Sequence, residues 1–570
     1  MKIRIFIIFF LCLPVLFVSA QGFPGFPAYT TGDSAIAEKY RLWAEEAIAA
    51  GNWQRAMAAL ERAADFTDVS SDISYLTAVA YAQADESRRL ILHNLEQAIQ
   101  TGRWKYYTEA QARLFQADQL IVMRHYSAAL ETLAICASLE GDNADIALLR
   151  LAALKGSGRI AEFRRHMHET LDHYPRDTRP LHILFRFAAE HKPADDDALM
   201  NTAFTRLPFL LGIDPDLAWE AAPFINNADE ARLLVASYRS ASFRPKPASV
   251  IPALNLGLID DFEAVDELFG FSSEPVLDRY LITRVWELLR SEEGREYLAK
   301  KLRSFSGTIT EDEDRDGYPE SRAVYRQGVL QEYYYDYEQD SHDDLFIIFE
   351  SGIPRWAEIV LLPSSGTVSP FNQNSRAFIF WEKYPAVQRT VLDKETCLYS
   401  PDYFRFTPIG FSETGASEST GGLMYPRLYP GSRDINRRLM VSMAVNMYRP
   451  CSEFEGGVEH IHFQQGIPLR AEVTLNGLLV SVTEFENGMP FVQRIDMDVD
   501  GVLETVRRFR KITPGEFTSS EYRPRLESVE NTRDGSGIFG SEKLYRNDGS
   551  VVYSWDFNGD GIREYFLVIE

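Results

Sequence analysis

Cysteine is scarce, with 4 in 570 residues, which excludes a fold held together by a disulfide framework. Positive charge is also in short supply. Lys and Arg total 59 against 83 Asp and Glu, for a formal net charge of −24. Nucleic acid and anionic lipid would repel such a chain, so neither is expected as its main partner. Catalytic signatures are missing too: no HExxH and no Walker sequence occurs. Beyond the amino terminus no apolar run is long enough to cross a bilayer.

What is present is a globular composition, 45% hydrophobic and 25% charged, on a chain long enough for two or more cores. Lys2 and Arg4 precede the apolar run Ile5 to Val18, and Val18-Ser19-Ala20 places small residues at a cleavage point before Gln21. This predicts a signal peptide over 1–20, export to a periplasmic or cell-surface location, and no membrane span after cleavage. The competing reading is an uncleaved anchor. Among the remaining cysteines, Cys397 and Cys451 are the candidate bridge of an oxidising compartment, while Cys136 sits in a helical apolar pattern.

A Gly/Pro-rich lead over 21–34 gives way to Ala, Leu, Glu and Arg with apolar residues three and four apart, the spacing of amphipathic helices. From Gly51 the chain places Trp53 two residues on, Ala56 five on, then Leu60 and Ala63. The same offsets recur from Arg124 with Tyr126, Ala129, Leu133 and Cys136, and in part from Gly156 with Ala161. A small residue is needed where two antiparallel helices cross closely, and the aromatic is expected between them. These positions resemble the tetratricopeptide repeat (TPR) family. The resemblance implies an α-solenoid of helix pairs, assigned here to 35–305, with a concave face for a protein or peptide partner. A single helix is expected over Val276–Leu302. A helical spacer without a ligand is the other reading.

Near Ser304 the composition shifts to Tyr, Phe, Val, Gly and Asp, and helical spacing ends. A nine-residue pattern now appears three times, with oxygen-bearing residues at positions 1, 3, 5 and 9 and Gly at 6. The copies are Asp312, Asp314, Asp316 and Glu320; Asp496, Asp498, Asp500 and Glu504; Asp556, Asn558, Asp560 and Glu564. A degenerate copy starts at Asp336, with Ser341 in place of Gly. Aromatics followed by Gly at the third position (Phe349, Phe463, Phe485) mark tight turns between strands. The expected fold over 306–570 is an antiparallel β-hairpin repeat, interrupted by an irregular insertion at about 360–450. The chain as a whole is a multidomain α + β protein.

Four oxygen ligands around a Gly turn suit Ca²⁺. The loops resemble EF-hands over their first six positions, but position 12 is Ala323, Arg507 or Leu567, and a strand follows. They are more similar to the Asp-rich loops of extracellular β-repeat proteins of the integrin-propeller type, with Glu at position 9 where Asp is usual. That likeness implies structural Ca²⁺. The alternative is that Asp and Gly serve only as turn formers. Glu459-His460-Ile461-His462 puts two imidazoles on one face of a strand; without a third ligand the pair reads as a polar face. The resulting expectation is a non-enzymatic envelope scaffold, its oligomeric state open, with an envelope hydrolase acting through the β half as the alternative.

Overall fold

The computed structural model describes residues 32–66, 70–84, 86–192, 197–242, 245–270, 275–361, 376–400, 402, 404–411, 425–429, 435–511, 525–532 and 539–569. The expected signal peptide and most of the lead lie outside these residues, as do the Ser/Pro- and Gly-rich stretches around 362–375 and 412–424. Two compact units are formed: Met1–Asp344 with Phe411–Tyr425, and Leu345–Gly410 with Pro426–Glu570. Helix gives way to strand after Arg303, whereas the division between units falls after Asp344.

The helices of the first unit are α1 (Gly32–Ala49), α2 (Trp53–Asp65), α3 (Ser71–Ala84), α4 (Arg88–Thr101), α5 (Glu109–Val122), α6 (Tyr126–Glu140), α7 (Ala144–Gly156) and α8 (Ile160–His173). They continue with α9 (Arg179–His191), α10 (Ala198–Leu210), α11 (Leu217–Ala221), α12 (Ala228–Ala241), α13 (Val250–Asn255), α14 (Asp261–Phe269), α15 (Arg279–Leu288) and α16 (Glu292–Arg303). Every second helix buries the same triplet. Ala56, Leu60 and Ala63 of α2 are 2% exposed or less, as are Ile91, Leu95 and Ala98 of α4 and Ala129, Leu133 and Cys136 of α6. Phe163 and Met167 of α8 are fully buried at the matching positions, and Thr170 is 4% exposed. The triplets start 35, 38 and 34 residues apart, so the gap between Gly51 and Arg124 holds one whole repeat. The third turn is Gly158, at φ +69°, rather than Gly156. Gly156 instead makes room for an aromatic ring, since a Cβ there would lie 2.3 Å from Tyr126. Tyr126 thus packs as expected of the aromatic two after the turn, whereas Trp53 remains 37% exposed.

Apolar clusters pass the core along this array. One joins Ala44, Ala56, Leu60 and Leu76, the next Tyr75, Ile91, Leu95 and Ala112, and the next Ala110, Leu133 and Ile146. Successive helix pairs thus bury their apolar faces against one another. Val276–Leu302 is not one helix. Val276–Asp278 is a strand, β1, and Ser291 caps α16 through Gly294 N–H at 3.0 Å. The buried Asp261 carboxylate holds the break open by accepting the N–H of Arg290 (3.1 Å) and Ser291 (2.8 Å). Three further strands complete this unit, β2 (Gly307–Glu311), β3 (Ser321–Arg326) and β4 (Val329–Tyr335), with β1 parallel to β2 and the rest antiparallel.

The second unit is an antiparallel meander: β5 (Leu345–Glu350), β6 (Ile353–Val360), β7 (Arg376–Lys383), β8 (Ala386–Leu392) and β9 (Glu395–Leu398), each paired with the next. A side pair, β10 (Ile409–Phe411) and β11 (Pro426–Leu428), and a short helix (Arg437–Met443) precede β12 (Asn446–Pro450), which pairs with β9. The meander resumes through β13 (Val458–Gln464), β14 (Ile467–Leu475), β15 (Leu478–Glu486), β16 (Met489–Ile495), β17 (Thr505–Phe509), β18 (Leu526–Thr532), β19 (Phe539–Tyr545), β20 (Val551–Trp555) and β21 (Tyr565–Ile569). The region expected to be an irregular insertion therefore carries the sheet across itself. Its polar stretches masked strands such as β7, where buried Ala377, Ile379 and Trp381 alternate with more exposed residues.

Hairpin turns at Ser351-Gly352, Gln465-Gly466, Asn476-Gly477 and Asn487-Gly488 have both residues at positive φ, the turn whose twist matches the strands. A bulge precedes each turn, at Ile348/Phe349, His462/Phe463, Val473/Thr474 and Glu484/Phe485. This accounts for the aromatic three residues before Gly in three of them. The expected Cys397–Cys451 bridge is absent, and both cysteines are free. Cys397 pairs with Met447 across β9 and β12. Cys451 lies four residues further on, about 13 Å along the strand direction and well beyond disulfide reach.

Candidate functional site

The acidic pattern folds into one loop in all four places. Position 1 accepts two backbone N–H groups. Asp312 takes those of Asp316 (3.2 Å) and Gly317 (2.8 Å), Asp336 those of Asp340 (3.1 Å) and Ser341 (2.9 Å), and Asp496 those of Asp500 (3.1 Å) and Gly501 (2.7 Å). Asp556 takes those of Gly559 (2.7 Å) and Gly561 (2.8 Å). Position 5 caps the N–H two residues on, in Asp316, Asp340, Asp500 and Asp560, at 2.7 to 2.9 Å. Position 9 reaches back to the N–H of position 2, as in Glu320 to Glu313 (2.7 Å), Asp344 to Tyr337 (2.8 Å) and Glu504 to Met497 (2.8 Å). Loss of the Gly in the degenerate copy changes nothing essential, because Ser341 adopts φ +72°.

One constraint was invisible in the pattern. Position 4 is also left-handed: Arg315 at φ +58°, Gln339 at +51°, Val499 at +63° and Gly559 at +77°. For a β-branched residue this conformation is an outlier.

The loops differ in what answers their charge. In the first unit it is arginine. Arg124, from the turn between α5 and α6, pairs with Glu320 and lies 2.9 Å from Asp314 Oδ2. Arg89 pairs with Glu338 and lies 2.8 Å from Asp340 Oδ2, while Arg88 donates its backbone N–H and its Nε to the Asp340 and Gln339 carbonyls, both at 2.8 Å. Gln339 Nε2 ties the two loops together through the Tyr318 carbonyl at 2.7 Å. Burial still pushes the Asp316 carboxyl up to about 7, helped by Asp314 beside it. Burial likewise raises Glu320 to about 7 against the pull of Arg124, and Asp336 to about 7 with Asp340 and Asp344 adding to it.

In the second unit no described arginine or lysine bridges the ligand set of loop 496–504. Carboxylate oxygens of Asp496, Asp498 and Asp500 all lie within 4.8 Å of one another, and Glu504 Oε2 is buried without a partner. An all-oxygen set with one orphaned buried oxygen fits Ca²⁺. Asp312, Asp314 and Asp316 meet the same distance limit, but there the guanidinium of Arg124 already engages Asp314 and Glu320. In loop 556–564 the Asn558 amide donates to Glu564 (2.6 Å) and Asp560 (3.1 Å), so Ca²⁺ there requires the amide to present its oxygen instead.

Arg88, Arg89 and Arg124 were not legible as loop partners. A hint exists in hindsight: α4 opens on two arginines and has no acid in its first turn, a placement the helix dipole disfavours. The His460–His462 pair also gains a neighbour. Glu472 stands opposite His460 across β13 and β14 and joins both histidines within 4.8 Å.

No family model matches the chain. A Treponema pallidum (strain Nichols) protein described as uncharacterized is 21% identical over 614 residues, covering 89% of this chain and 76% of its own. Among solved structures, MamA 41-end from Desulfovibrio magneticus RS-1 is 15% identical at a TM-score of 0.29, over 33% of this chain and 99% of that one. PilW, described as a widely conserved type IV pilus biogenesis factor, is 16% identical at 0.30, over 36% and 93%. YrrB, described as a TPR protein with an unusual peptide-binding site, is 14% identical at 0.26, over 33% and 94%. Among the described residues no helix is long and apolar enough to cross a membrane.

Proposed function

We propose that the chain is an exported, non-enzymatic binding scaffold of a bacterial envelope, in which a TPR-like solenoid captures a protein or peptide and Ca²⁺ stiffens the β repeats. The observation that carries the binding role is an aromatic cluster on the first helix pair. Tyr40 meets Trp43 edge-on at 5.3 Å and stacks on Phe66 at 6.1 Å, and Lys39 lies 4.7 Å over the Trp43 ring. Trp43 is nevertheless 39% exposed, with Leu42 46% and Ile36 38% exposed on the same helix. Tryptophan is enriched among the few residues that carry most of the energy of protein interfaces. Export is supported by the charged, apolar and small-residue order of positions 2–20.

Calcium is supported at loop 496–504 by the converging carboxylates and the unpartnered Glu504 oxygen. Loop 556–564 is the second site of this reading. Loop 312–320 is held by arginine instead.

The test of the binding role is peptide selection on the full chain, followed by affinity measurement with Trp43→Ala. A partner whose affinity falls at least tenfold in the variant supports the reading. No selected peptide, or affinity indifferent to Trp43, contradicts it. Amino-terminal sequencing of the secreted protein tests export, with a mature end at Gln21 expected.

A further inference from the structure

We propose that His460, His462 and Glu472 form a binding site for Zn²⁺ on β13 and β14, separate from the acidic loops. Two strands present the set rigidly. His460 and His462 stand two residues apart on β13, so they share a face, and Glu472 is the cross-strand partner of His460. The opposite face buries Ile461, Ala471 and Val473 at 5% exposure or less, which fixes the orientation of the strands. The three ligating side chains are half-buried.

The distances suit a single ion. The imidazole centroids lie 4.0 Å apart, and one ligand atom from each of the three residues falls within 4.8 Å of the others. A tetrahedral zinc with bonds near 2.0–2.1 Å holds its ligands roughly 3.3 Å apart. Side-chain torsions close that difference without moving the strands. The donor chemistry separates this site from the loops: imidazole nitrogen with one carboxylate suits zinc-class cations, whereas Ca²⁺ takes oxygen alone.

Neighbouring side chains prepare the ligands. Asn446 Oδ1 lies 3.0 Å from His460 Nε2. As an acceptor it fixes the proton there and leaves Nδ1 to bind metal, the supporting arrangement common around ligating histidines. Tyr448 stacks on the His460 ring at 4.2 Å and 11°. Arg470 Nη2 holds Glu472 Oε1 at 2.8 Å, which leaves Oε2 to bind. Three protein ligands leave a fourth position for water or an exogenous donor.

The experiment is Zn²⁺ titration of the full chain against a chromophoric chelator, with millimolar Ca²⁺ present to occupy the oxygen sites. X-ray absorption of the wild-type protein loaded with one equivalent of zinc accompanies it. The expected results are one site per chain, two imidazoles in the absorption spectrum, and at least tenfold weaker binding in His462→Gln and Glu472→Gln. His166→Gln, far along the chain on α8, is expected to leave affinity unchanged. Failure to bind an equivalent, a spectrum with fewer than two imidazoles, or unchanged affinity in His462→Gln would overturn the proposal. The spectrum needs no variant, so a misfolded mutant cannot decide the matter.

Discussion

Arg124 and Glu320 stand 196 residues apart in sequence and form an ion pair in which the Glu320 side chain is fully buried and Arg124 is 26% exposed. The turn between α5 and α6 thus clasps the loop between β2 and β3. Removing the cation leaves a buried carboxylate uncompensated. A buried pair broken in this way costs about 3–5 kcal/mol, and the partial exposure of Arg124 lowers the expectation to about 2–4 kcal/mol for Arg124→Ala. Glu320→Gln is expected to cost less, since the amide oxygen still accepts the Glu313 N–H. Combining both substitutions should recover part of the loss. Thermal unfolding of the two singles and the double closes the cycle; strict additivity would deny the coupling.

Val499 offers a test of opposite sign. It holds φ +63° at position 4 of loop 496–504, where Gly559 and Gln339 sit in sister loops. Left-handed backbone costs a β-branched residue about 1–2 kcal/mol, and Asn tolerates it. Val499→Asn is expected to raise stability by about 1 kcal/mol, read as a higher midpoint in urea. A lower midpoint would mean that the half-buried valine contributes more by packing than it loses by strain.

A pH dependence follows from His182. Its ring nitrogens lie 2.7 Å from Glu220 Oε2 and 2.8 Å from Asp214 Oδ2. Burial pulls its pKa down, but the bonds and charges of Glu220 and Asp214 outweigh burial and raise it. Asp214 moves the other way: burial raises it, and His182 more than reverses that. For His182 the stabilisation is complete below its unfolded pKa of about 6.5 and is lost as pH rises through the folded value. For Asp214 it is present above about 4 and lost as pH falls through the depressed folded value. The melting temperature of the helical unit should therefore decline above about pH 6.5, and His182→Gln should flatten that decline. An unchanged slope in the variant would remove His182 as its source.

The repeating units were legible because each is local. Asp and Gly at fixed offsets specify a loop from within nine residues, so Asp496 to Glu504 declared itself, and even Ser341 did not hide the copy at Asp336. Helix triplets were legible only where the first position kept its Ala. Ile91 and Phe163 fill the same buried position with larger side chains, which hid the second repeat and misplaced the turn at Gly156. The strands between Arg376 and Leu398 were obscured by their polar neighbours. Partners distant in sequence left no local mark at all: nothing near Glu320 points to Arg124, and nothing near His460 points to Glu472. Such pairings are set by the stacking of repeats and by strand register, which local pattern does not encode.

Four copies of one acidic loop, two clasped by arginines and two proposed to be answered by calcium, stand at the centre of this picture of the molecule. Thermal unfolding of the full chain in chelator and in millimolar Ca²⁺ puts it to the test. Calcium at about ten times its dissociation constant adds about 1.4 kcal/mol per site, so two sites add about 2.8 kcal/mol, a rise on the order of 6–11 °C in the melting of the second unit. Asp498→Ala with Asn558→Ala should abolish that rise, because these changes remove the position-3 ligand oxygen from each loop while leaving the backbone bonds of Asp496 and Asp556 in place. A melting temperature that ignores calcium, or a rise that survives the double substitution, would contradict calcium as the counter-charge of these two loops.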